Sequence, residues 1–178
     1  ITNACVSGRC SHRNPNMAQI PRVGQPYGAE CRGLFYAPHG WRQVGCDASG
    51  LELRGLGAQL AYFDGGEYAK LVSTEGFDIH THNAKLFGIY DGQGTIEKRI
   101  REQAKTLIYA VLYGAGAQKL GTILDPSLGQ YDQQDLGRET IETFYKNLPA
   151  IKKLKDKVDE RVLDRGFLIG IDGRHLQI

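Results

Sequence analysis

The sequence lacks the features that mark the specialised classes of protein. No apolar run approaches the roughly 18 residues that a membrane-spanning helix needs, so we expect no membrane partner. The chain also has no large excess of charge of one sign, because its 22 lysines and arginines are nearly balanced by 20 aspartates and glutamates. The resulting net charge of +2 does not by itself indicate a nucleic-acid partner. What is present is a chain of 178 residues, long enough to bury a core without metals or disulfides.

Cysteine is sparse as well. The four cysteines form no C-x-x-C pair, and neither alone nor with the five histidines do they match the spacing of a zinc site. We therefore expect free, buried thiols at Cys5, Cys10, Cys31 and Cys46, which suits a reducing cytosol. Because the sequence does not begin with methionine and stops within a β-prone run, we expect it to be an internal piece of a longer protein.

Apolar periodicity predicts a mainly helical chain. Apolar residues at helical spacing follow Leu51, with a predicted stop at Asp64, and Asp78 is expected to cap a further helix. The strongest amphipathic pattern covers residues 96–112. Two more helices are predicted, over 137–147 and 150–165.

Two β-hairpins are predicted outside the helices. Residues 34–46 contain two β-prone runs around Pro38-His39-Gly40, so we expect a hairpin that ends at Asp47. Residues 167–178 flank Asp172-Gly173, the type of dipeptide that a two-residue hairpin turn requires. The pattern as a whole indicates an α+β, predominantly helical fold.

Four residues spaced four apart follow one slowly drifting stripe of the strongest helix: Arg101, Lys105, Tyr109 and Tyr113. Like charges at this spacing repel each other by a few tenths of a kcal/mol, so an anion such as a triphosphate is expected across the two cations. The tyrosines farther along would then meet a base and a sugar. The stripe alone leaves open an ordinary helix in which Glu97 pairs with Arg101 and the tyrosines are packing residues.

Asp47 is a candidate metal ligand. It lies where an apolar strand is expected to give way to a helix, and such a carboxylate is held rigidly at an exposed end that can admit Mg²⁺. Just beyond it, Ser49 and Glu52 fit a capping box, which gives Glu52 a purely structural alternative.

Taken together, these segments resemble the motifs of family A DNA polymerases. Asp47-x-Ser49-x-x-Glu52-Leu53-Arg54 is similar to motif A, and Arg101-x3-Lys105-x7-Tyr113-Gly114 is similar to motif B. Three further blocks agree: a palm block within 8–21, the fingers histidine motif Asp78-Ile79-His80-Thr81, and the closing Asp172-Gly173-Arg174. The resemblance covers nearly the whole chain. The residues within the motifs are more similar to those of short-tailed bacteriophage replicative polymerases than to those of bacterial DNA polymerase I.

This resemblance implies a domain organisation. Residues 1–60 would be a palm fragment that includes motif A, and residues 61–165 would be the fingers subdomain that includes motif B. Residues 166–178 would form a terminal β-hairpin leading back toward the palm. The implied fold is a set of polymerase fingers helices attached to a fragment of the antiparallel palm sheet.

The resemblance also implies a chemistry. The reaction would be template-directed addition of a deoxynucleotide to a primer 3′-hydroxyl, in phage DNA replication, by two-metal-ion phosphoryl transfer. Asp47 and the backbone carbonyl of Ala48 would hold the two Mg²⁺ ions. Lys105 would act as a second catalytic residue by protonating the departing pyrophosphate.

The remaining site residues follow from the same motifs. His80, Arg101 and Lys105 would grip the triphosphate, Tyr109 would stack near the incoming base and sugar, and Glu52 would exclude a ribose 2′-hydroxyl. Contacts to DNA are implied for a second group, in which Arg9 would read the minor groove at the primer end. Its other members are Asn16, Gln19, Tyr113 and Gly114.

The family's second catalytic carboxylate lies in a His-Asp-Glu motif after the closing Asp-Gly-Arg block, and this sequence contains no such motif. We reject Val158-Asp159-Glu160 because it lies in a charged helical pattern without the preceding histidine. The isolated chain is therefore expected to be inactive.

Its implied partners are primer–template DNA, dNTPs, the thumb, the His-Asp-Glu part of the palm and a processivity factor, in the cytoplasm of an infected bacterial host. The alternatives are a non-catalytic nucleotide- or DNA-binding module and a fragment of a single-subunit RNA polymerase, although Glu52 argues for deoxynucleotides.

Overall fold

The computed structural model describes residues 10–177, which divide into two compact units. One unit contains the residues up to Ser49 together with those from Glu160 onward, and the other is Gly50–Asp159. The structure confirms the predicted fold class, a mainly helical α+β chain with a small antiparallel sheet. Across residues 10–177, no helix has both the length and the apolar character that crossing a membrane requires.

The first unit contains little regular structure. It has a short 3-10 helix at Met17–Gln19, helix α1 at Gly28–Gly33, and the strands β1 at Phe167–Ile169 and β2 at His175–Gln177. Among its described residues, Gly28 alone is buried. A Cβ at that position would lie 1.8 Å from the carbonyl oxygen of Arg22, so the chain requires glycine there.

All the regular structure of the second unit is helical. The division between the units falls within its last helix, which begins at Pro149. Its elements are α2 (Leu51–Asp64), α3 (Glu67–Ser73), α4 (Ile79–Leu86), α5 (Lys98–Leu112), α6 (Ala117–Leu124), α7 (Gln130–Asn147) and α8 (Pro149–Arg165).

The structure confirms four of the predicted helices, α2, α4, α5 and α8. Helix α4 begins as expected, because the Asp78 side chain accepts a hydrogen bond from the His80 backbone N–H at 3.1 Å. Helix α7 is longer than predicted, because its first two turns are polar and carry no apolar periodicity. Helices α1, α3 and α6 are not predicted from the sequence, since each has at most eight residues.

A single apolar core holds the helical unit together. Phe87 and Phe144 stack at its centre with ring centroids 4.2 Å apart. Helix α5 contributes Leu107 and Ile108, which fixes the rotation of that helix about its own axis. The other buried members are Leu53, Leu56, Leu60, Tyr68, Leu120, Ala150 and Ile151.

Helices α6 and α7 approach each other backbone to backbone. A Cβ on Gly121 would lie 1.8 Å from the Gln133 carbonyl oxygen, and one on Gly137 would lie 1.8 Å from the Ala117 carbonyl oxygen. Gln103 of α5 then fastens α6, because its Nε2 donates to the carbonyls of Ile123 and Leu124 at 3.2 and 2.8 Å. The two glycines and this amide therefore fix α5, α6 and α7 relative to one another.

The hairpin predicted over residues 34–46 is wrong. A tight turn is present, with the Trp41 N–H donating to the Pro38 carbonyl at 2.9 Å, but the flanking runs form no strands. Tyr36, Trp41 and Val44 are exposed, so the β-prone residues have no apolar surface to pack against. Asp47 consequently lies in irregular chain and not at a strand exit.

The second predicted hairpin is confirmed, with a different turn. Phe167 pairs with Gln177 and Ile169 with His175, in antiparallel register. The Gly170 N–H donates to the Arg174 carbonyl at 2.8 Å, which leaves a three-residue loop of Ile171, Asp172 and Gly173. Gly173 has φ of 79°, the left-handed position of such a loop, so the predicted two-residue turn is wrong by one residue.

Two further expectations need correction. Gly50, with φ of 60°, is the N-cap of α2, so Ser49 precedes the cap and the predicted capping box is wrong in register. Cys10, Cys31 and Cys46 are free as expected, but Cys10 and Cys46 are exposed because their segments border no core. Cys5 lies outside the described residues.

Candidate functional site

The predicted stripe lies along α5. Arg101 is in the first turn of that helix, Lys105 is in its middle, Tyr109 is in its last turn, and Tyr113 is its C-cap. Packing of the opposite face into the core holds the stripe toward the outside. Lys105 and Tyr113 are exposed, whereas Arg101 and Tyr109 are half-buried. The helix therefore presents cations at one end and aromatic rings at the other, over roughly 18 Å.

Arg101 is held by Asp78 in a bidentate ion pair. Its Nε and Nη2 donate to the two carboxylate oxygens of Asp78 at 2.7 and 3.0 Å. A further ion pair places Nη1 of Arg101 3.4 Å from the Glu102 carboxylate. The alternative that Glu97 neutralises Arg101 is therefore wrong, and the pair instead joins α5 to the start of α4.

The ion pair changes the titration of both partners. Hydrogen bonding to Arg101 holds the pKa of the Asp78 carboxyl well below its usual range. The same hydrogen bonds raise the pKa of Arg101. Because Asp78 stays ionised through the physiological range, the pair persists at neutral pH.

His80 lies beside the two cations of the stripe. Burial lowers the pKa of its imidazole, and the positive charges of Arg101 and Lys105 lower it further. The ring is therefore neutral near pH 7. Its Nδ1 is buried and has no hydrogen-bond partner among the described residues.

The other end of the stripe collects Tyr109, Glu52 and Tyr113. The pKa of the Tyr109 phenol is raised, first by burial and then by the neighbouring Glu52 carboxylate and the Tyr113 phenol. Glu52, in the first turn of α2, is exposed, as is Tyr113. This end therefore combines two aromatic rings with one carboxylate.

Chemically, the arrangement suits a ligand with a polyanionic group and a planar group. Arg101 and Lys105 would bind the anion through charge-assisted hydrogen bonds, with the neutral His80 as a further polar partner. Tyr109 and Tyr113 would offer ring surface to the planar part. The structure thus brings together the predicted nucleotide-binding residues of α2, α4 and α5.

The remaining predicted residues lie elsewhere. Asp47 and Ala48 are exposed and belong to the unit that contains the residues up to Ser49. Asn16 caps the 3-10 helix by accepting from the Ala18 N–H at 3.1 Å, and its amide donates to Gln19 Oε1 at 3.1 Å. Gly114 ends α5 with φ of 74°, and Arg9 lies outside the described residues.

The described residues do not fit a complete Mg²⁺ site. Between residues 10 and 177 there is no group of three or more His, Cys, Asp or Glu side chains placed to hold a metal ion. Asp47 offers one exposed carboxylate and Ala48 one carbonyl, fewer ligands than Mg²⁺ binding requires. We therefore derive no step through a metal.

Sequence reasoning missed two polar groups of the site. Asp78 was identified as a helix cap, but its pairing with Arg101 joins positions 23 apart in the chain, which no local pattern reveals. The second group is buried: Tyr68 donates to Asn83 Oδ1 at 3.2 Å. Asp78 belongs to the fingers histidine motif, but the motif does not indicate its partner, and Tyr68 follows no motif of known chemistry. The contacts made in the folded unit identify both groups.

Comparison with known proteins agrees with the motifs. The model of the family described as DNA polymerase family A matches residues 2–178. The DNA-directed DNA polymerases of Enterobacteria phage T3 and Escherichia phage T7 are each 37% identical over 198 residues, covering 99% of this chain. DNA polymerase I of Chloroflexus aurantiacus is 34% identical over 174 residues, which cover 95% of this chain and 17% of that protein.

This chain spans about a quarter of the length of the two phage relatives, since the match covers 26% of each. The match of the family model extends over almost the entire sequence. The chain therefore belongs to DNA polymerase family A.

Proposed function

We propose that this chain is the nucleotide-binding part of a DNA polymerase that carries out template-directed DNA synthesis in phage replication. The observation that carries the proposal is the meeting of His80, Arg101 and Lys105 at one end of α5, with Tyr109 and Glu52 at the other. A deoxynucleoside triphosphate has the matching chemistry, because its polyphosphate and its base lie at opposite ends of the molecule.

At the cationic end, Arg101 and Lys105 bind the triphosphate. Lys105 is exposed and flexible enough to follow the leaving pyrophosphate and to donate a proton to it. His80, being neutral, supplies a hydrogen bond without adding a third positive charge. The three side chains thus stabilise negative charge as it moves onto the pyrophosphate.

At the aromatic end, Tyr109 stacks near the incoming base and sugar, and Tyr113 lies beside the templating base. Glu52 neighbours Tyr109 and excludes a ribose 2′-hydroxyl from the sugar position. Preference for deoxynucleotides over ribonucleotides therefore separates this proposal from a fragment of a single-subunit RNA polymerase.

We also propose roles for the residues outside the cluster. Asp47 and the Ala48 carbonyl would supply two of the ligands for the Mg²⁺ ions of the complete polymerase, and the remaining ligands would come from its other parts. Contacts to the primer–template duplex come from Arg9, Asn16 and Gln19, and Gly114 lets the template strand approach the end of α5. Residues 1–60 and 61–165 are proposed as palm and fingers, and 166–178 as a hairpin toward the palm.

Because the chain offers so few metal ligands, its proposed partners include the thumb and the His-Asp-Glu part of the palm. A processivity factor is a further proposed partner, and the proposed setting is the cytoplasm of an infected bacterial host. The chain alone is expected to show no Mg²⁺-dependent primer extension, and detectable extension would contradict this.

The proposal is tested by titrating the chain with a fluorescent dATP analogue and measuring anisotropy. Lys105→Ala should weaken binding by roughly tenfold or more, the size expected for a lost charge-assisted hydrogen bond. Lys119→Ala is the matched control, because Lys119 is an exposed lysine on α6, and it should bind like the wild type.

Equal affinities for all three proteins would contradict the proposed site. Repeating the titration with the ribonucleotide analogue should give weaker binding than with the deoxynucleotide. The opposite preference would favour the RNA polymerase alternative. In a further experiment, the thumb and the His-Asp-Glu part of the palm are added to the chain. If the chain still binds nucleotide but no DNA is synthesised, a non-catalytic binding module is favoured.

A further inference from the structure

We propose that Asp78 is a positioning residue, which holds the Arg101 guanidinium so that its outer edge faces the incoming triphosphate. The proposal rests on the proposed function of the α5 stripe and assigns a role to a residue outside it. Asp78 would touch neither the nucleotide nor the primer. It would act through Arg101, and through the backbone at His80.

The Arg101 guanidinium has two edges, each of which can bind a pair of oxygens. Asp78 accepts from Nε at 2.7 Å and from Nη2 at 3.0 Å, so it occupies the inner edge. The outer edge, formed by Nη1 and the second hydrogen of Nη2, has the spacing that binds two phosphate oxygens in parallel. Glu102, 3.4 Å from Nη1, is a weaker and more exposed partner that a triphosphate would replace.

The carboxylate itself is firmly held. Besides the two donors of Arg101, it accepts from the His80 backbone N–H at 3.1 Å and from the Thr81 hydroxyl at 2.7 Å. All of these donors stabilise its charged form. Helix α4, which it caps, is anchored by the buried Asn83 and Ala84. Asp78 is thus a fixed point against which Arg101 is oriented.

The same carboxylate organises His80. Asp78 caps α4 by accepting a hydrogen bond from the His80 N–H, and this bond fixes the position of the His80 backbone. The His80 imidazole lies beside Arg101 and Lys105. One side chain therefore aligns two of the three groups proposed to bind the triphosphate. Such alignment before binding lowers the entropy lost when the ligand arrives.

Two other roles are physically possible and give different results. If Asp78 opposed nucleotide binding, it would neutralise Arg101 and compete with the triphosphate, so its removal would tighten binding. As a purely structural cap of α4, its removal would weaken binding whether or not Arg101 is present, because its bonds to the His80 N–H and the Thr81 hydroxyl do not involve Arg101. A positioning residue needs Arg101 for its effect, and a double-mutant cycle detects that dependence.

The test uses the same anisotropy titration on Asp78→Asn, Arg101→Ala and the double variant. Asn keeps the helix cap, since Asn and Asp are about equally good N-caps, but it removes the charge and one of the two acceptors facing Arg101. We expect roughly tenfold weaker binding for Asp78→Asn, and no further loss when it is added to Arg101→Ala. The Nε–Hε resonance of Arg101 in the NMR spectrum should lose its hydrogen-bonded shift.

The matched control is Asp125→Asn. Asp125 also accepts hydrogen bonds from a backbone N–H and a hydroxyl, both of Ser127, but these bonds close the turn at the end of α6 and do not involve Arg101. It should leave nucleotide binding unchanged. If Asp78→Asn unfolds the chain, as judged by circular dichroism, Asp78→Ser keeps a capping oxygen and serves as the second variant.

Each outcome decides between the proposals. Tighter binding by Asp78→Asn, or an equal loss in the Arg101→Ala background, overturns the positioning role. An unchanged affinity for Asp78→Asn while Lys105→Ala loses affinity also overturns it, and leaves the proposed function intact. No nucleotide binding by the wild-type chain, or none lost in Lys105→Ala, overturns the proposed function and this inference together.

Discussion

Phe144, at the centre of the helical unit, is 0% exposed, whereas Trp41, in the other unit, is 75% exposed. The contrast extends to whole segments. The core residues all lie between Leu53 and Ile151, and in the other unit Gly28 alone is buried among the described residues. The cationic and aromatic ends of the proposed nucleotide site therefore rest on a core that the helical unit supplies itself, whereas Asp47 lies in a segment without one.

The largest expected effect tests this contrast directly. Phe144→Ala removes a fully buried ring that stacks on Phe87, and should lower the free energy of unfolding by about 3–5 kcal/mol. Trp41→Ala removes a larger side chain from an exposed position, and should change that free energy by less than about 0.5 kcal/mol. Urea unfolding followed by circular dichroism measures both.

A comparable loss for the two variants would show that the segment around Trp41 is packed in solution. The contrast between the units would then be wrong.

The second prediction concerns pH. Burial raises the pKa of the Tyr68 phenol to about 12, above its ordinary value of 10.0. A raised pKa in the folded state means that the unfolded chain loses its proton first as pH rises. The stabilisation is therefore complete below about pH 10 and is lost as pH rises toward about 12, with a total on the order of 2 kcal/mol.

Tyr68→Phe should abolish this alkaline loss, and Tyr131→Phe, at an 84% exposed position, should keep it. At neutral pH, Tyr68→Phe should cost about 1–2 kcal/mol, because the buried Asn83 oxygen loses its donor. Urea unfolding at a series of pH values tests both statements. Equal alkaline slopes for wild type and Tyr68→Phe would contradict the burial of the phenol.

The smallest expected effect compares two glycines of one helix. A Cβ on Gly57 would lie 2.9 Å from the Ala69 Cα of α3, so Gly57→Ala should destabilise the unit by about 1–2 kcal/mol. Gly55, two residues earlier, has no such neighbour within 4 Å, and Gly55→Ala should stabilise α2 by about 0.5–1 kcal/mol. Thermal unfolding should therefore give melting temperatures that shift in opposite directions.

Shifts of the same sign would mean that α2 and α3 are not in close contact at Gly57, and the close packing of the helical unit would need revision.

Local signals predicted much of the helical unit. The glycine pair after Asp64, the Asp78 cap, and Pro149 with Gly166 each act within a few residues of the helix end that they determine. Helices α2, α4 and α8 accordingly end or begin where those residues indicate. The hairpin predicted over residues 34–46 is absent because β-prone residues form a strand only when they have a partner strand and an apolar surface to cover.

The candidate site was predictable in part. Residues spaced four apart on a helix share a face by geometry alone, which located the stripe from Arg101 to Tyr113. The residues that neighbour the stripe were not predictable in this way, because Asp78 and Tyr68 come close to it only when the helices have packed. Long-range pairing depends on that packing, and single-sequence patterns contain no measure of it.

The glycine contacts between α6 and α7 also indicate which positions of these helices can vary among members of the family. Because Gly121 and Gly137 let one backbone rest directly on the other, the spacing of this helix pair does not depend on the size of any side chain. Residues elsewhere on the two helices can then be exchanged without moving the helices apart. We expect sequence drift to be tolerated over most of their exposed surface, and to stop at these two positions.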